Sequence, residues 1–153
     1  MEQIFKGIKD FLLNSVNPIL NEFEDEEIAN LPQFSSKFIV FGAVDITKYN
    51  NKIIVSVLPE SQEEDEDGNV EYGAQSRFLV TFLVSGDTYE NLIKKSCRYA
   101  AAFRKALLTD PNMDGAAEDS EIGERRFYPD AGTDNKQISA VEIDLTILTN
   151  TEI

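Results

Sequence analysis

The chain has 153 residues, 42% of them apolar and ten of them Phe, with 28 acids against 14 bases and a formal net charge of -14. That length and aromatic content fit one folded domain over 1–153 and argue against a disordered acidic chain, which would be poor in aromatics. The charge opposes tight wrapping of DNA and adhesion to anionic lipid, which need clustered cations, yet it would let a duplex pass an acidic wall without sticking.

Residues 2 to 16 place Ile4, Phe5, Ile8, Phe11, Leu12 and Val16 at helical spacing, and Asn17-Pro18 should end or kink that helix. Residues 19 to 35 join Ile19, Leu20 and Phe23 to the acids Glu24 to Glu27 and then "NLPQFSS", read as a short helix followed by a loop. "KFIVFGAVDIT", Lys37 to Thr47, is rich in branched and aromatic residues and reads as a strand. Asn50-Asn51 then tolerates the left-handed backbone of a tight hairpin, with a second strand "KIIVSVLP" stopping at Pro59.

Next comes "EEDEDGNV", Glu63 to Val70. Against the calcium-loop template, Glu63, Asp65, Asp67, Gly68 and Val70 match in part, but position 12 is Ala74 where a bidentate Glu should close the loop, and the flanks read as strands. The stretch is therefore expected to be an acidic, hairpin-like excursion at about 60–76 that turns at Asp67-Gly68 and carries Glu63, Glu64, Asp65, Glu66 and Asp67 to a partner.

Arg77 to Ser85 alternates two fairly apolar faces, as a central strand would. Asp87 and Glu90 form a capping-box-like start to a helix over about 88–108. That helix puts Tyr89, Leu92, Ala100, Phe103 and Leu107 on one stripe and Lys94, Arg98 and Lys105 opposite, with Cys97 at the edge as a small buried thiol. Asp110-Pro111 ends it. Phe127 and Tyr128 mark a short strand, and 137 to 149 alternates Val141, Ile143, Leu145 and Ile147 inward with Glu142, Asp144 and Thr146 outward. The expected fold is α+β: a mixed or antiparallel sheet of about four to five strands, one main helix packed on it, and an N-terminal helix.

Chemistry is sparse. With no His, the usual proton shuttle, Ser-His or Cys-His nucleophiles and His/Cys zinc sites are unavailable. The single Cys97 cannot form an intrachain disulfide and points to a reducing compartment. The start lacks a basic region followed by a long apolar run, so a soluble, untargeted protein is expected. "SGDTYENL" has one Gly before a helix, too little for a phosphate loop. No enzyme activity, cofactor, metal or membrane partner is predicted.

The informative asymmetry is that five of the 14 cations fall between Lys94 and Lys105 with no acid among them. Cations there offset the helix dipole, and they could equally meet the acidic arm of a neighbouring copy.

"YENLIKKSCRYAAAFRKALLTDPNMDG", "ERRFYPD" and "KQISAVEIDLTILTN" together resemble the tail-completion and neck proteins of tailed bacteriophages, including the tail terminators, over residues 77 to 149. The resemblance implies a non-enzymatic virion protein assembled in the bacterial cytoplasm. It would form a homo-oligomeric, hexameric ring that caps the tail tube and joins it to the head connector, with double-stranded DNA in transit through the lumen and not bound specifically. Candidate interface or lumen residues are Lys94, Arg98, Lys105 and Glu63 to Asp67; the acidic arm has no counterpart in that family. The alternative is an acidic cytosolic binding module that mimics DNA or holds a basic partner.

Overall fold

The structure is a computed structural model that describes residues 1–45, 51–64, 74–132 and 136–149. Its described elements run in the order α1 (Glu2–Phe11), β1 (Ile39–Phe41), β2 (Ile53–Glu64), β3 (Ala74–Val84), α2 (Tyr89–Thr109), β4 (Asp119–Tyr128) and β5 (Ser139–Thr149). The strands form one five-stranded mixed sheet in the order β1-β2-β3-β5-β4, so the fold is α+β with β3 central as its two apolar faces predict.

The helices lie over one face of the sheet. Alternation places Val55, Val57, Phe78, Val80, Phe82, Val141, Ile143 and Leu145 in the core with α2's Leu92, Tyr99 and Phe103. Phe82 and Phe103 meet edge to face with centroids 5.6 Å apart, and Phe11 of α1 meets Phe103 the same way at 6.3 Å. On the opposite face, Leu79, Thr81, Leu83, Glu142, Asp144 and Thr146 are half-buried and outside that core.

Several local expectations are corrected. Asn17-Pro18 does not stop the first helix. The chain passes from α1 into a π turn over Leu12–Val16, where the Asn17 amide reaches back to the Leu12 carbonyl, and on into a 3-10 segment over Asn17–Phe23. Widening the turn before Pro18 accommodates its missing N–H. The first strand is three residues long, ends at Gly42 (φ 118°), and pairs with β2 in parallel, so the two do not form a hairpin. Asn50 and the end of the expected strand, Ile46 and Thr47, lie outside the described residues.

Pro59 does not end β2. It lies beyond the last pairing of β1, where β2 is the sheet's edge, and a bulge between Pro59 and Ser61 absorbs the irregularity before pairing with β3 resumes to Glu64. β4 is ten residues long, more than the short strand expected around Phe127 and Tyr128. The cap of α2 also shifts: Thr88 is the N-cap and its hydroxyl accepts from the Asn91 amide, whereas Asp87 turns to Lys95, 2.9 Å away.

Candidate functional site

α2 divides the molecule's surface chemistry into two flanks. Leu92, Ala100, Phe103 and Leu107 of its expected stripe are buried, the buried face widens to take in Tyr99, Ala102, Ala106 and even Lys95, and Tyr89 is 36% exposed. Cys97, expected in the core, is exposed. Lys94, Arg98 and Lys105 lie toward the N-terminal segment, with Lys105 still exposed to solvent.

That segment is tied down residue by residue. The Asn17 side-chain amide donates to the Phe34 carbonyl at 2.9 Å and its oxygen accepts from the Phe34 N–H at 2.7 Å. Glu24 accepts from the Leu31 amide at 2.8 Å, and Asp25 accepts from the amides of Glu27 and Ile28. Tyr99 donates from α2 to the Pro32 carbonyl. Onto this scaffold the helix cations close: Lys94 to Glu27 at 3.0 Å, Arg98 to Asp25 at 3.0 Å, and Lys105 to Glu22 at 2.7 Å with its ammonium over the Phe23 ring. Arg98 holds Asp25 at a pKa of about 2, helped by the two backbone amides, and Glu27 and then Glu90 push the Lys94 ammonium upward. The three cations singled out in the sequence are thus spoken for within the chain.

The acidic arm is described only at its root. Glu63 is exposed, and the backbones of Glu63 and Glu64 pair with Gln75 and Ala74. Asp65, Glu66 and Asp67, and with them the expected turn at Asp67-Gly68, lie outside the described residues. Pro59, the bulge and the acids Glu60 and Glu63 together mark this edge of β2 as guarded against strand addition.

Another charge cluster is internal in character. Arg126 on β4 donates to Glu124 at 2.8 Å, to Glu142 at 2.8 Å and to Asp144 at 2.7 Å. It spans a register shift between Ile122 and Arg125 and fastens the edge strand to β5. Its guanidinium lowers the Asp144 pKa.

The other flank of α2, toward β4, is unlike the first. Here lie the exposed apolar side chains Tyr89, Ile93 and Leu108 of the helix and Phe127 of the strand, with Leu108 68% and Phe127 48% exposed. Arg104, Lys105 and Arg125 line a hollow of about 440 Å³ with Phe23, Ala101 and Leu108. Lys105 is paired with Glu22, whereas Arg104 and Arg125 have no ion pair or hydrogen-bonded side-chain partner among the described residues. Charge spacing along α2 alone did not separate Arg104 from its neighbours, and Arg125 joins it only because β4 returns beside the helix after 15 intervening sequence positions from Thr109 to Arg125.

No family model matches the chain, and no curated protein matches it. Among the described residues, no helix is long and apolar enough to cross a membrane.

Proposed function

We propose that the chain is a structural protein of the tail terminator or neck class of tailed bacteriophages or prophages. It acts as a homo-oligomeric ring, hexameric as the resemblance implies, that caps the tail tube and joins it to the head connector. Its place is the virion, reached by assembly in the bacterial cytoplasm, and DNA crosses its lumen without being bound. The acidic balance of the chain suits that passage, since an acidic wall repels phosphates.

The observation that carries the reading is the flank of α2 beside β4. Exposed Leu108 and Phe127 stand there with two arginines that lack an acidic partner among the described residues, in a chain that has twice as many acids as bases. Aromatic and aliphatic anchors beside Arg are the composition of protein contact surfaces. A site and its complement on different parts of one surface make head-to-tail contacts, which close into rings when the rotation permits.

The test is to incubate the purified protein with tail tubes lacking a terminal cap and to image them by negative stain. The reading predicts one ring at one end of each tube and a halt to tube growth. Tubes that stay bare and keep extending, together with no binding to connector rings, would overturn it.

A further inference from the structure

We infer that the outward ridge of α2 packs antiparallel against the same ridge of a second copy of this chain, with the two-fold axis at Cys97. The ridge follows from helix geometry. At about 100° per residue, Glu90, Ile93, Ala101, Arg104 and Leu108 all fall within about 40° of Cys97 around the helix axis. The buried residues Leu92, Lys95, Tyr99, Ala102 and Ala106 lie on the far side. Solvent reaches the ridge along its length: Glu90, Cys97 and Arg104 are exposed, and Ile93 and Leu108 are two of the large apolar side chains left open to water.

What selects a second copy is the order of chemistry along the ridge. It runs from an acid, Glu90, through uncharged Ile93, Cys97 and Ala101 to a base, Arg104. A two-fold axis at Cys97 sets Glu90, seven residues to one side, against the partner's Arg104, seven residues to the other, and the symmetry makes that pair twice. Parallel pairing would set Glu90 on Glu90 and Arg104 on Arg104, and like charges repel. The middle of the ridge is small: Cys97 meets its own copy and Ile93 lies beside Ala101, so the helices can close to the roughly 8–10 Å of packed pairs. Antiparallel packing also opposes the two helix dipoles.

One copy cannot make these pairs by itself. Glu90 and Arg104 are about 21 Å apart along the same rigid helix. Glu90 does reach Lys94 one turn on, at 3.3 Å, but Lys94 has a shorter partner in Glu27 at 3.0 Å, and an exposed pair of this kind is weak. Leu108 extends past Arg104 to the first turn of the partner's helix, where the contact takes its apolar surface out of water. The two-fold contact does not depend on the ring reading, since dihedral assemblies hold two-fold and head-to-tail contacts together.

Cys97 is the chain's single cysteine, so it reports the axis directly. A short bis-maleimide added to full-length wild type should bridge Cys97 to Cys97 and give a covalent dimer on a denaturing gel. Glu90→Arg and Arg104→Glu, each alone, should slow that bridging about tenfold or more, because like charges then meet twice. The protein carrying both changes should recover it. An equimolar mixture of the two single variants, one of them tagged, should bridge between the two and not within either. Circular dichroism checks folding, and Glu90→Gln or Arg104→Gln replaces a variant that fails to fold, with slower bridging still expected. A wild type whose Cys97 takes a mono-maleimide fully yet is never bridged would overturn the inference, and a six-subunit particle with that result would leave the ring standing. Bridging at the wild-type rate in both single variants would overturn it as well. A bridged dimer that obeys the charge swap, in a protein that never caps tail tubes, would uphold the inference and remove the ring.

Discussion

Arg98 on α2 donates to Asp25 at 3.0 Å and to the Phe23 carbonyl at 2.8 Å, so one side chain holds the N-terminal segment against the main helix. With Lys94 on Glu27 and Lys105 on Glu22, three cations spread over three turns of α2 meet three acids placed within six residues. The contact is a clasp inside the chain.

The clasp predicts the outcome of charge reversal. Replacing Lys94, Arg98 and Lys105 by Glu should lower the melting temperature and expose residues 20 to 34 to proteolysis, and reversing Glu22, Asp25 and Glu27 to Lys in the same protein should restore much of the loss. Thermal melts with limited proteolysis of the two variants decide it. A triple reversal that melts like wild type would remove the clasp.

The periodicity of α2 and β5 was legible because each buries one face, and burial writes itself into spacing. The clasp was half legible: the acids of 22 to 27 and the cations of 94 to 105 are plain in the sequence, but their meeting depends on how the segment after Pro18 folds back over the helix. The parallel pairing of β1 was not legible, since branched residues favour a strand without fixing its direction. Arg104 and Arg125 were invisible as a pair until β4 was placed beside α2.

Acid should loosen the molecule in a defined window. Arg98 holds Asp25, and Lys95 holds Asp87, at pKa values of about 2 against the ordinary 3.8. A depressed folded-state pKa contributes stability that is full above the unfolded value and is lost as pH falls toward the folded one. Melting temperature should therefore drop between about pH 4 and 2, and a variant with Asp25→Asn and Asp87→Asn should start lower and show a shallower drop. Equal slopes in the two proteins would contradict these assignments.

The aromatic core carries much of the stability. Phe103 is fully buried against Phe82 and Phe11, so Phe103→Ala should cost about 3–5 kcal/mol in urea unfolding. Tyr99→Phe keeps the ring but strands the Pro32 carbonyl, and should cost about 1–2 kcal/mol. A Phe103→Ala loss below that of Tyr99→Phe would place the core elsewhere.

The link from β3 to α2 turns at Gly86, whose φ is 84° and where an added Cβ would lie 3.1 Å from Lys52 Cγ. Gly86→Ala should cost about 1–2 kcal/mol, the penalty of a left-handed backbone for a residue with Cβ. Chemical denaturation measures it, and a neutral result would mean the turn readily adopts another shape.

The account stands or falls most directly on the mass of the wild-type protein in solution, measured by multi-angle light scattering over a range of concentrations and salt. A ring predicts a particle of about six 17.2 kDa subunits at low salt that falls apart as salt screens the charged contacts between subunits. A single 17.2 kDa species at every concentration and salt, unaltered by tail tubes, would contradict it.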